Sequence, residues 1–342
     1  MKKVGIIGHF GIGHNLANGQ TVKTTVIYQA LGKEYDKENI AIFDTYGGIL
    51  FLLKMPYIIF KALFTCRNIV ILPAHKGLCI ITPILLFFNI LYNRPIHYIV
   101  IGGWLPSMLT SKKWLRKMVK SFKCIYVETE TLNKELQYLQ VTNTVTMPNF
   151  KFLRICDVSN YQQEFPYKLC TFSRVTKEKG IEEAINAVRR INEQLGRVTY
   201  SLDIYGQIED CNWFEQLMKN QPEFIKYKGC IDSNQSTHIL KEYFALLFPT
   251  YYKGECFAGT IIDAFSAGLP VFASDWHENP NIIKDKQTGI IYQAKSTEAI
   301  IETLLHAYQS PNEIIEMRSC CIKEAKKYQP EEIIKILTKN LE

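Results

Sequence analysis

The sequence predicts an α/β protein made of two doubly wound parallel-sheet units in succession, and three observations lead there. Short apolar runs recur along all 342 residues, separated by stretches with helical spacing. The runs are apolar nearly throughout, as expected of strands that crossover helices bury on both faces. A polar, proline-bearing interruption at Pro148–Lys168 divides the series in two.

In the first half, strands are expected over Val4–Gly8, Ile40–Asp44, Asn68–Leu72, His97–Ile101, Ile125–Glu128 and Thr144–Met147. In the second half they are expected over Leu169–Ser173, Thr199–Tyr205, Ile225–Lys228, Phe244–Phe248, Pro270–Ala273 and Gly289–Tyr292. Helical spacing fills the gaps, most clearly at Gly180–Glu193 and Ile261–Ala267. The polar run Ser159–Glu164, followed by Pro166, sets the expected division: an N-terminal unit over 1–165, a second unit over 166–328, and a final segment over 329–342. Open parallel sheets bind ligands beyond the carboxyl ends of their strands, so the site is sought in those loops and in a cleft where the units face each other.

Charge is divided unevenly. Residues 1–150 carry 17 Lys and Arg against 7 Asp and Glu, or +10; residues 151–342 carry 23 against 26, or −3; together they give the overall +7. The basic half calls for an anionic partner. Nucleic acid is excluded for want of a basic stripe with interleaved stacking aromatics or a zinc-finger or RNP-type motif, leaving a phosphorylated substrate or a membrane surface. Ser111–Lys123 places Lys113, Arg116, Lys117 and Lys120 largely opposite Trp114, Leu115, Met118, Val119 and Phe122 at helical spacing. Two readings fit: a helix lying on an anionic membrane, or a surface helix with its apolar side on its own sheet. Ile49–Phe64 and Leu78–Tyr92 are apolar, but each is shorter than an uninterrupted span, which favours peripheral attachment or core burial.

The ten cysteines show no CxxC pair or zinc spacing and read as buried, reduced thiols. Met1-Lys2-Lys3 leads directly into a strand with no secretory pattern, so the expected location is the cytoplasm, extending to peripheral contact with the inner face of the cell membrane.

Three stretches can carry chemistry. Gly8–Thr21 is a glycine-rich loop that opens a helix near Gly19, and Gly13 in it lets backbone approach an anionic ligand or simply shapes the turn. Its order is neither the dinucleotide fingerprint nor a P-loop. Arg174 and Lys179, in Ser173-Arg174-Val175-Thr176-Lys177-Glu178-Lys179-Gly180, follow a strand and precede a helix, so both cations suit a diphosphate. The third stretch runs from Tyr252 to Val271. Glu255 lies in its loop and Asp263 two helical turns on, both suited to sugar hydroxyls, while N–H groups near Phe257, Ala258, Gly259 and Thr260 suit phosphate. Cys256 reads as packing.

Arg174–Gly180, the Glu255–Asp263 pair and Ala267-Gly268-Leu269-Pro270-Val271 resemble the retaining, nucleotide-sugar-dependent glycosyltransferases of family 4 (glycosyl transferases group 1), which have the GT-B fold of two Rossmann-like domains. The resemblance implies that Arg174 and Lys179 bind the donor diphosphate, Glu255 the sugar hydroxyls and Asp263 the ribose. It further implies that Gly13 and its loop approach donor phosphate and acceptor, and that a final helix over Glu331–Leu341 packs back on the first domain. Asp263 stands where the family usually has Glu. At the end of one N-domain strand, Ile101-Gly102-Gly103-Trp104 stands where many members carry His. Gly102, Gly103 and Trp104, with the strand-end His75, are therefore candidates for the acceptor pocket. The implied partners are a nucleotide diphosphate-sugar donor and a glycan or lipid-linked acceptor, with no cofactor and no metal. The implied setting is cell-surface polysaccharide or glycolipid assembly. Two other readings share the fold: a sugar-nucleotide epimerase, and a non-catalytic nucleotide-sugar-binding subunit.

Overall fold

The computed structural model describes residues 1–14, 19–158, 161, 164–232 and 234–341, without the side chains of 48–51. Residues 15–18 of the glycine-rich loop and 159, 160, 162 and 163 of the polar run lie outside the described residues. The chain forms two compact units, one of residues 1–152 with 329–342, the other of residues 153–328.

The first unit alternates strand and helix: β1 (Lys2–Gly8), α1 (Gly19–Tyr35), β2 (Ile40–Asp44), α2 (Gly48–Thr65), β3 (Cys66–Ile71) and α3 (His75–Tyr92). There follow β4 (Ile96–Ile99), α4 (Leu105–Ser111), α5 (Lys113–Val119), β5 (Cys124–Val127), α6 (Glu130–Tyr138) and β6 (Thr144–Thr146). Its sheet runs β2-β1-β3-β4-β5-β6, all parallel. That is the flavodoxin-like of the two doubly wound orders, whose reversal lies between β1 and β3.

The second unit contains β7 (Tyr167–Phe172), α7 (Ile181–Gln194), β8 (Tyr200–Tyr205), α8 (Cys211–Met218), β9 (Ile225–Gly229), α9 (Ser236–Leu240) and β10 (Ala245–Phe248). It continues with α10 (Gly259–Ser266), β11 (Val271–Ser274), α11 (Asn279–Ile282), β12 (Gly289–Tyr292), α12 (Thr297–Gln309) and α13 (Pro311–Ala325). Its parallel sheet runs β12-β11-β10-β7-β8-β9, the Rossmann order, with the reversal between β7 and β10. Strands such as Leu169-Cys170-Thr171 and Leu246-Leu247 are apolar because both faces are covered: Ile181, Ile185 and Val188 of α7 pack on one side, Ile261, Ile262 and Phe265 of α10 on the other.

The division falls at Phe152/Leu153, earlier than the expected 165/166. The reason is physical: the Cys156 amide donates to the Ser266 carbonyl at 2.9 Å, and Val158 packs tightly at Gly268, so this linker belongs to the second unit. The last helix, α14 (Pro330–Thr338), belongs to the first unit. Ile333, Ile334, Leu337 and Leu341 repeat at helical spacing and bury against Val26, Ile27 and Leu31 of α1, with Lys33–Glu331 at 3.0 Å on the rim.

The basic stretch is shorter than its pattern suggests. Helix α5 ends at Val119, and a turn at Ser121–Phe122 leads into β5. Leu115, Val119 and Phe122 bury in their own unit while Trp114 remains exposed. None of the ten cysteines is in a disulfide, but Cys211 and Cys230 are exposed, correcting the uniform burial expected of them.

Leu337→Ala should cost the first unit roughly 2–4 kcal/mol through the cavity it leaves, measured as a lowered denaturant midpoint; an unchanged midpoint would mean that α14 is undocked in solution. His97 on β4 is fully buried beside the Tyr126 hydroxyl. Burial, then the Lys123 charge, pulls its pKa from 6.5 to about 4. Between pH 6.5 and 4 the unfolded chain therefore binds a proton that the folded chain refuses, and stability falls by roughly 3 kcal/mol over that window, with no contribution above it. His97→Gln should flatten that slope in acid-titrated unfolding.

Candidate active site

The site is built where the second sheet reverses. Beyond β7 the loop Ser173–Gly180 meets the chain that leaves β10 at Pro249. Gly180 adopts φ +72°, and a Cβ there would stand 2.2 Å from the Pro249 carbonyl oxygen, so glycine lets the two loops touch. Lys179, just before it, is buried although it is a lysine. Its Nζ donates to Oε2 of Glu255, itself buried, and the Thr250 hydroxyl donates to the same oxygen at 3.0 Å. A buried ion pair is stabilised when further hydrogen bonds satisfy its polar atoms, and Thr250 supplies one of them. Tyr252 joins the two cations: its ring centroid lies 5.4 Å from Lys179 Nζ and 5.4 Å from the Arg174 guanidinium carbon. Arg174 is half-exposed and pairs with Glu209.

Helix α10 begins beside this cluster, because the Thr260 hydroxyl donates to the Phe172 carbonyl at the end of β7 at 2.7 Å. No side chain caps Ala258, so the amides that open the helix at Ala258, Gly259 and Thr260 are placed to meet an anion. The Phe257 side chain is instead buried, edge-on to Tyr328, which leaves only its backbone available to a ligand. Asp263, further along α10, is 2% exposed, and its Oδ1 accepts from the Ser236 hydroxyl of α9 at 3.2 Å. Arg174, Lys179 and Glu255 are thus gathered around Tyr252, and Asp263, further along α10, is tied to α9. Cys256 is buried.

In the first unit the glycine-rich loop differs from the expected phosphate approach. Asp44 at the end of β2 accepts the amides of Phe10 and Ile12, each at 2.9 Å, and that of Gly11 at 3.3 Å, so these donors already have an anion. Burial alone would raise the Asp44 pKa. Amides from Ile12, Tyr46, Phe10 and Gly11 outweigh it and hold the carboxyl below its ordinary value. Gly13, at φ +84°, has open space where a Cβ would stand. Near it, the rings of His9 and His14 lie 5.5 and 4.5 Å from that of Tyr46, and His9 Nδ1 is 2.8 Å from the Thr21 hydroxyl. No motif marks these residues; only their places after β1 and β2 could have suggested them.

Among the candidate acceptor residues, His75 opens α3 and its ring meets Trp104 edge-on at 5.1 Å. Gly102, at φ +83°, turns the chain after β4, and the Trp104 indole then donates to the Ile101 carbonyl at 2.7 Å. His75, Gly102, Gly103 and Trp104 are therefore gathered at the carboxyl ends of β3 and β4. Among the described residues, no group of three or more His, Cys, Asp or Glu side chains could hold a metal ion.

Residues 159–328 match the family described as Glycosyl transferases group 1. The chain is 26% identical over 230 residues, 63% of its length, to the GtfA subunit of the UDP-N-acetylglucosamine–peptide N-acetylglucosaminyltransferase of Streptococcus pneumoniae. It is 23% identical over 154 residues to the amylovoran biosynthesis glycosyltransferase AmsK of Erwinia amylovora. These alignments span 44% and 38% of the two relatives, so the chain covers less than half the length of either. By fold it superimposes on sucrose-phosphate synthase of Thermosynechococcus elongatus with a TM-score of 0.79 at 14% identity, over 99% of this chain and 98% of that one. The chain therefore has the two-sheet α/β fold seen in the GT-B glycosyltransferases, and its second half is similar in sequence to the group 1 glycosyl transferases.

Proposed function

We propose that the protein is a retaining, metal-independent glycosyltransferase that moves a sugar from a nucleoside diphosphate donor to an acceptor hydroxyl. The observation that carries this reading is the buried Lys179–Glu255 pair, with Arg174 nearby, at the reversal point of the matched domain. Fixed cations at that point lower the barrier by stabilising the charge that grows on a departing diphosphate. Arg174 and Lys179 take that role, exchanging contact with Glu209 and Glu255 for phosphate oxygens, and the opening amides of α10 add to it. Glu255 then accepts from the sugar hydroxyls. Asp263 accepts from the ribose once a hydroxyl replaces Ser236 as its donor. In the reaction the anomeric carbon–oxygen bond to the diphosphate breaks. The acceptor oxygen bonds to the same face of that carbon, and its proton passes to the leaving phosphate oxygen.

We assign the acceptor pocket to His75, Gly102, Gly103 and Trp104 of the first unit. To it we assign a glycan or lipid-linked acceptor, in polysaccharide or glycolipid assembly at the cytoplasmic face of the membrane; the similarity to an amylovoran biosynthesis glycosyltransferase supports the glycosyl transfer in that reading. The pneumococcal GtfA was solved with UDP and GlcNAc, so uridine diphosphate is the first nucleotide to test. Tight binding to the native state should raise the melting temperature, and a screen of nucleoside diphosphates reads it.

Glu255→Gln keeps an acceptor for Thr250 while removing the charge, and should lower transfer at least about tenfold in a chain that still melts cooperatively. Full activity would remove Glu255 from the site. Arg174→Ala should lower kcat/KM on the order of a hundredfold, and chelation of divalent ions should change the wild-type rate by less than about twofold. Donor incubated alone distinguishes the other readings: an epimeric sugar nucleotide would make the protein an epimerase, and binding without turnover against every acceptor would make it a non-catalytic subunit.

A further inference from the structure

We propose that the face formed by α2 and α3 in the first unit is a docking surface for an anionic lipid bilayer, entered by the exposed rings and aliphatic side chains of those two helices. On α2 the exposed apolar residues Leu53, Tyr57, Phe60 and Phe64 recur every three or four positions and so form one stripe. On α3 the same holds for Phe87, Ile90 and Leu91. Leu53 is 77% exposed, Phe87 69% and Ile90 79%, which is unusual for side chains of this size. The two helices pack together, and ring contacts run unbroken from Phe64 to Phe60 (6.3 Å), Phe88 (6.2 Å) and Phe87 (5.4 Å). A contiguous apolar face of this kind marks an interaction site.

Charge identifies the occupant. From Thr45 through Val127 the chain contains no Asp or Glu at all, while it carries eleven cations: Lys54, Lys61, Arg67, Lys76, Arg94, Lys112, Lys113, Arg116, Lys117, Lys120 and Lys123. Lys54 and Lys61 flank the α2 stripe, and α5, which packs beside α3, presents Lys113 and Lys117 with the exposed ring of Trp114. Apolar side chains ringed by cations, with every carboxylate withheld, match an acyl interior under anionic headgroups. By length and composition α3 could cross a bilayer, and α2 is as long and as apolar. Leu78, Ile81 and Leu85 along α3 are buried in protein, as are Met55, Ile59 and Leu63 of α2, so each helix has one face to offer a bilayer. Both helices therefore lie in the plane of the interface. This surface belongs to the first unit alone and stands independently of the transferase reading.

Gradient flotation of the full chain with phosphatidylcholine vesicles, with and without phosphatidylglycerol, at low and raised salt, tests the assignment. The wild type should float with the anionic vesicles and be released in part by salt. The triple variant Phe64→Ser/Phe87→Ser/Leu91→Ser, altered only at exposed positions, should lose binding at least about tenfold at either salt. Lys113→Glu/Lys117→Glu should lose it mainly at low salt. Unchanged thermal midpoints and nucleoside diphosphate binding would show that both variants stay folded. Wild type left unbound by anionic vesicles at low salt, or a triple variant that floats like wild type, overturns the proposal. So does light scattering that finds a dimer which the triple variant dissolves, because the face is then covered by a second copy.

Discussion

Everything at the candidate site depends on how closely two loops of the second unit approach each other. Lys179 is carried by one and Glu255 by the other, and their pairing in a dry setting is possible because nothing thicker than a hydrogen atom stands on Gly180 opposite the Pro249 carbonyl. A second narrow passage supports the first: a Cβ on Gly206 would fall 1.7 Å from the Ser173 carbonyl oxygen, so the chain after β8 closes directly on the residue before Arg174. Charges in such a place are costly to bury and costly to leave without a partner. The pair is consequently both a source of positive potential and a fastening, and a ligand that draws Lys179 away must leave Glu255 something to accept.

The two sheets solve the same topological problem in different orders. In the first, the reversal between β1 and β3 sets the glycine-rich loop beside His75; in the second, the reversal between β7 and β10 sets the two cationic positions beside Glu255. Each open end is finished by the chain's own groups. Asp44 satisfies the amides of residues 10–12, and Glu255 neutralises Lys179. Internal carboxylates thus stand at both places where an anion would otherwise be drawn in, which favours ligands whose own contacts compensate for displacing them.

Much of this was legible in the sequence. All twelve described strands fall where the sequence predicts them; most are buried on both faces and leave a signal of composition that needs no partner strand to interpret, while β6 and β9 are more open. Arg174, Lys179 and Glu255 were legible because the loops after parallel strands are where this topology exposes polar groups. What stayed hidden depends on distance across the fold. Asp44 reads as the unremarkable end of a strand until β2 is set beside β1 and its carboxylate meets the amides of Phe10 and Ile12. Ser236 gives no hint of Asp263, 27 positions away. The prolines and polar residues near 160 look like a break in the sequence, whereas the Cys156 amide already belongs to the second unit. The α2 and α3 patterns show amphipathic periodicity, but only the packing tells which stripe stays uncovered.

The return of α14 has an implication for synthesis. The second unit is contiguous and can close as soon as residue 328 has left the ribosome, whereas the first must wait for residues made after all of it. Until then Val26, Ile27 and Leu31 of α1 lack their cover. During translation the earlier-made unit is therefore the later one to mature, and the nascent chain carries an apolar groove for as long as the downstream 176 residues, 153 to 328, are being threaded out.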